Sequence, residues 1–215
     1  MLKTKNGFGA PILLENGWTA TSTSLGTFQP SQDLINGIIY LQGGISGGTS
    51  DVVGTVAFHP SSTVFIPVDE CNTTNGRIEI DTSGTVTVEG SLTDAQCFTS
   101  FEGDSWGTAD TATPLTLENG WTGGPFGTGA PAVGNLNGIV RFLGAMATGG
   151  TNPVAFVLPP GFAPAKTVRV KVDLCNANNG ELVITPDGTA TVNAENGQFS
   201  NAACFTSLDG VSFAR

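Results

Sequence analysis

"ELVITPDGTATV" (Glu181–Val192) reads as two strands and a turn. On either side of "TPDG", apolar and polar residues alternate with the period of two that a half-buried strand requires. Pro186 presets φ, Asp187 follows, and Gly188 suits the left-handed position of a bulged hairpin. About a hundred residues earlier, "RIEIDTSGTVTV" (Arg77–Val88) has the same form with "DTSG" at its centre. "VRVKV" (Val168–Val172) alternates as well, placing Val168, Val170 and Val172 on one face and Arg169 and Lys171 on the other.

The repetition extends over nearly the whole chain. "LLENGW" (Leu13–Trp18) returns as "TLENGW" (Thr116–Trp121). "INGIIYLQGGISGGTS" (Ile35–Ser50) returns as "LNGIVRFLGAMATGGTN" (Leu136–Asn152). "DECNTTNG" (Asp69–Gly76) returns as "DLCNANNG" (Asp173–Gly180), and "CFTSFEGDSW" (Cys97–Trp106) as "CFTSLDGVSF" (Cys204–Phe213). Order is kept and the offset drifts by only a few residues, so the chain is a tandem duplication. A unit of about 100 residues is long enough to bury its own core. The expected organisation is an arm over 1–10, a first unit over 11–106, a small polar linker over 107–112 and a second unit over 113–215. Many short alternating stretches, 30 glycines and no sustained helical period argue for an all-β chain of two antiparallel, jelly-roll-like sandwiches.

The four cysteines fall at equivalent places, Cys71 and Cys97 in the first copy, Cys175 and Cys204 in the second. Three pairings are possible. Duplication favours Cys71–Cys97 and Cys175–Cys204, because a unit that folds alone would close its own bridge; four buried thiols are the alternative. Bridges would place the protein outside a reducing cytosol. "MLKTKNGFGAPILL" has no apolar core of an export signal, and no stretch approaches the roughly 18 apolar residues of a membrane span. Release by lysis or a specialised machine, or a leader missing from this sequence, would reconcile the two.

Charge is unevenly placed. The net charge is −10, and between Ala10 and Trp106 eleven acids face one base, Arg77, whereas Thr113–Arg215 is nearly balanced. Such a balance argues against a phosphate-neutralising nucleic-acid surface. It suits either a solvated first unit with the second docked on a partner, or plain solubility. Lys3 and Lys5 make the head the only basic segment before Arg77, and a short basic arm could reach an acidic neighbouring subunit.

Reactive chemistry is sparse. His59, the only histidine, sits in "AFHPSS" and has no counterpart in the second copy. No Cys-x-x-Cys pair suggests zinc, "GGISGG" and "ATGG" precede neither helix nor lysine as a phosphate cradle would, and calcium near Asp81 is a minor option. Asp69 recurs as Asp173 while Glu70 becomes Leu174, so that carboxylate pair is not part of the unit. No catalytic residue, cofactor or metal site is expected. Trp18 and Trp121 match each other, either as core plugs or as glycan-stacking platforms.

The second copy, "NGIVRFLGAMATGG…VAFVLPPGFAPAKTVRVKV…GELVITPDGTATV…FTSLDGVSFAR", resembles the C-terminal module of bacteriophage tail-fibre, receptor-binding and minor virion proteins. The resemblance is close over Leu117–Phe213 and looser over Leu14–Trp106, where "LPPGFAPAK" (Leu158–Lys166) degenerates to "HPSSTVF" (His59–Phe65). It implies a non-enzymatic virion surface protein, a short fibre or capsid-decorating protein. Such a protein is usually a trimer, docks on other virion proteins and sometimes contacts a host glycan. A secreted or virion-borne carbohydrate-binding adhesin is the other reading.

Overall fold

The computed structural model describes residues 9–107 and 112–215; Lys3 and Lys5 lie outside them. The described chain is all-β with antiparallel pairing, and it divides into units Met1–Thr108 and Ala109–Arg215.

The first unit runs β1 (Ala10–Pro11), β2 (Leu13–Leu14), β3 (Trp18–Ala20), β4 (Ser31–Ile35), β5 (Ile38–Gln42), β6 (Gly44–Gly47), β7 (Val52–Thr55), β8 (Val64–Glu70), β9 (Asn75–Ile80), β10 (Thr85–Glu89), helix α1 (Leu92–Cys97), β11 (Thr99–Ser100) and β12 (Ser105–Gly107). The second repeats it: β13 (Thr113–Pro114), β14 (Trp121–Gly123), β15 (Ala132–Leu136), β16 (Ile139–Leu143), β17 (Ala145–Thr148), β18 (Val154–Val157), β19 (Val168–Leu174), β20 (Asn178–Ile184), β21 (Thr189–Ala194), helix α2 (Phe199–Cys204), β22 (Thr206–Ser207) and β23 (Ser212–Ala214). Ala10 pairs with Gln32 and Gly107 with Ile38, so the sheets claim one residue of the expected arm and one of the expected linker.

Two-residue Asn-Gly turns set the first hairpin of each unit. Asn36–Gly37 joins β4 to β5 and Asn137–Gly138 joins β15 to β16, all four residues at positive φ. That is the mirror-image turn whose twist matches the flanking strands, and Asn and Gly are the residues that tolerate it. These hairpins form four-stranded sheets, β1-β4-β5-β12 and β13-β15-β16-β23.

The larger sheets are ordered β2-β7-β10-β9-β8-β11-β6-β3 and β14-β17-β22-β19-β20-β21-β18. In the second unit an isolated bridge, Leu117 to Phe156, stands where β2 pairs with β7. Both large sheets curl until nearly closed, because their two ends belong to one short segment: β2 and β3 are the arms of the turn Glu15–Gly17. At the seam Glu15 N–H donates to Val53 O at 2.8 Å and Gly48 N–H to Gly17 O at 3.1 Å. Closure removes exposed edges, which would otherwise template pairing with other chains.

The interiors follow the alternation read from sequence. Ile78, Ile80 and Val86 are fully buried in the first unit, and Leu182, Ile184 and Val192 in the second. Gly84 and Gly188 both take φ +87°, as the hairpin reading requires. Trp106 fills in the first unit the place that Phe213 fills in the second, and its indole Nε1–H has no hydrogen-bond partner among the described residues. Trp106→Phe exchanges lost ring volume for removal of a buried unsatisfied donor. Its unfolding free energy in urea should therefore stay within about 1 kcal/mol of the parent.

Candidate functional site

The repeated phrase "CFTS-x-[ED]-G" is a structural clamp. Thr99 and Thr206, both fully buried, donate their hydroxyls to Ala95 O (3.1 Å) and Ala202 O (2.9 Å), tying the strand to the helix before it. Two residues on, Phe101 N–H donates to Gly43 O and Leu208 N–H to Gly144 O, each at 2.8 Å. Glu102 and Asp209 then accept from Gly43 N–H (2.9 Å) and Gly144 N–H (2.8 Å). Gly43 and Gly144 are obligatory there. They have φ +101° and +80°, and a Cβ would lie 2.5–2.7 Å from the backbone of Phe28–Pro30 or Gly129–Ala130. The clamp locks the closing loop to the crossing between the two sheets.

The cysteines pair as Cys71–Cys97 and Cys175–Cys204, with Cα atoms 5.8 and 5.9 Å apart, inside the usual disulfide range. Each bridge joins the turn after a central strand to the last residue of a short helix. Those helices, α1 and α2, lie in the stretch where sequence period gave no helix. One signal was present: Ser91 caps α1 by accepting from Asp94 N–H, a Ser-x-x-Asp pattern.

Trp18 and Trp121 are each 4% exposed and donate Nε1–H to Ser50 O (2.9 Å) and Asn152 O (3.0 Å) at the sheet seams. A stacking platform needs an open ring face, so the glycan-platform role is corrected: both rings are core plugs. Beside each seam lies an open cleft, about 540 Å³ between Asp51, Glu89 and Leu92 in the first unit. Its counterpart in the second, about 430 Å³, lies between Pro153, Asn193 and Phe199.

Arg77, Asp81 and Asp187 are each held by local partners. Arg77 Nε donates to Glu89 at 2.6 Å, and its guanidinium lies 4.6 Å from the centre of the Phe65 ring. Asp81 accepts from Ser83 and Thr85 N–H at 2.8 and 2.9 Å, and the Ser83 hydroxyl bond leads in holding its carboxyl below the ordinary range. Asp187 is lowered likewise, first by the Thr185 hydroxyl. These bonds commit both acids to their turns. His59 is exposed. Among the described residues no three His, Cys, Asp or Glu side chains cluster as a metal would need, and no helix is long and apolar enough to cross a membrane.

Glu70 is the residue that sequence reasoning undervalued. It is 2% exposed, and neither carboxylate oxygen has a hydrogen-bond partner among the described residues. Burial first, then Asp94 and Asp69, push its carboxyl up to about 7. The signal was its replacement by Leu174 in the second copy, which marks an apolar position.

Compared with protein-family models, with curated proteins and with solved structures, the chain finds no match.

Proposed function

We propose that this chain is a non-enzymatic structural protein of a bacteriophage virion surface, a short fibre or capsid-decoration protein that docks on other virion proteins and contacts the host surface. The resemblance of the second copy to phage surface modules motivates the reading. The observation that carries it is the unit built twice, down to its bridge, seam tryptophan and closing clamp, with both interiors filled by side chains. Two bridged units with filled interiors suit a body that works through its outer surface, and the bridges suit conditions outside a reducing cytosol. A homotrimer is the assembly that the resemblance implies.

Purified particles of the encoding phage should contain the chain by mass spectrometry, and cryo-electron microscopy should place it on the exterior. Deleting residues 1–9 should remove it from particles while the free protein stays folded; full incorporation after the deletion would reject the docking role of Lys3 and Lys5. Absence from intact particles would reject the virion reading itself.

The carbohydrate-binding reading keeps one specific support, the equivalent clefts beside Leu92 and Phe199. A glycan array probed with the parent and with Leu92→Ser and Phe199→Ser variants tests it. Binding lost in folded variants supports a lectin role, and no binding by the parent dismisses it.

A further inference from the structure

Along β8 the inward positions are Val64, Ile66, Val68 and Glu70, and along β19 they are Val168, Val170, Val172 and Leu174. The last inward place of the strand is therefore apolar in one unit and a carboxyl in the other. Each side chain lies over a glycine of the next strand. A Cβ on Gly76 would come within 2.0 Å of a Glu70 carboxylate oxygen, and one on Gly180 within 2.8 Å of the Leu174 side chain. Leu174 is fully buried, in the same core as Ala202 of α2. Glu70 occupies the corresponding end of the first barrel, with Ala95 of α1 buried in the same core as Val68.

Among the described residues, the charges that act on Glu70 are acids, and they oppose its ionisation. Asp94 on α1 and Asp69 on β8 repel it. On β9, Arg77 and Glu79 alternate with the inward Gly76 and Ile78, and Arg77 is engaged by Glu89 of β10 on that outer side. β11 brings only Thr99 and Ser100. A neutral carboxylic acid fits this place; a carboxylate without a donor or cation is among the costliest groups to bury.

We propose that Glu70 makes the first unit a pH-responsive module: protonated, it lets α1 close the end of the barrel, and ionised, it drives that end open while the Cys71–Cys97 bridge keeps α1 tethered. The second unit, with Leu174 in the same place, does not respond. The sign follows from linkage. A carboxyl held above its ordinary value binds its proton more tightly in the closed state. Closure is therefore strongest at acid pH, weakens as pH rises from the ordinary carboxylate range through about 7, and levels off above. The raised carboxyl corresponds to a loss on the order of a hundredfold in the closing equilibrium across that window. Glu79 is also raised, by burial and its contact with Glu89, so the response of Glu70 is read as a difference between variants.

Amide hydrogen exchange on the full chain at pH 5 and pH 8, corrected for intrinsic rates, tests the proposal. In the parent, segments 70–76 and 92–98 should open on the order of a hundredfold more at pH 8, while 174–180 and 199–205 stay level. Glu70→Gln, which keeps the shape of the neutral acid, should flatten the first pair. Leu174→Glu should transfer the response to the second unit. Equal protection of 92–98 in the parent at both pH values, or an undiminished response in Glu70→Gln, would overturn the proposal.

Discussion

Trp121→Ala should unfold the second unit under conditions in which the first stays folded, at a cost of about 3–5 kcal/mol. The indole is 4% exposed, meets Phe199 edge-on at 6.2 Å between ring centres, and donates to Asn152 O at 3.0 Å. It sits where β14 begins, at the seam that closes the larger sheet, so truncation opens a cavity and loosens the closure together. The surrounding strands are fixed by their own ladders and by the clamp at Gly144, which limits collapse into the void, the condition under which cavity costs are highest. A loss of this size is a large part of the 5–15 kcal/mol that holds an ordinary domain together. Urea unfolding followed by amide exchange, unit by unit, reads the result. Trp121→Phe, which keeps most of the ring and gives up only the N–H bond, should cost about 1 kcal/mol. Trp18→Ala should do to the first unit what Trp121→Ala does to the second. A Trp121→Ala protein as stable as its parent would mean that the ring does not plug the core.

What the sequence disclosed, and what it hid, divides along physical lines. Hairpins built from period-two alternation around "DTSG" and "TPDG" were legible because turn chemistry and side-chain burial are local properties. The duplication was legible from spacing alone, and with it the pairing of the four cysteines. Sheet closure was not, since nothing local in "LLENGW" reports that its two halves end on opposite edges of one curled sheet. The short helices escaped because six residues are too few to show a period of 3.6. The clamp phrase was visible as repetition, but its chemistry was hidden, because Glu102 and Asp209 act on backbone amides far away in the chain. Glu70 shows a different limit. A substitution between copies can be read as loss of a motif or as a charge forced into an apolar place, and only burial separates the two.

Removing one bridge by Cys175→Ala with Cys204→Ala should destabilise the second unit by about 3–4 kcal/mol and leave the first unchanged, and Cys71→Ala with Cys97→Ala should do the converse. The two loops span 26 and 29 residues, so in the chain-entropy account, where the cost grows only with the logarithm of loop length, the two losses should be nearly equal. Each bridge also pins a turn whose second and third residues, Asn72–Thr73 or Asn176–Ala177, have positive φ. Thr73 is β-branched and strained in that region, so release of the first bridge should let that turn relax and show faster amide exchange at 72–75. The intact chain should weigh four hydrogens less than the fully reduced one by mass spectrometry. Cys97 and Cys204 are exposed at the helix ends, so reductant should reach both bridges in the folded protein. An unshifted mass, or double variants with the parent's unfolding midpoint, would show that the units close without their staples.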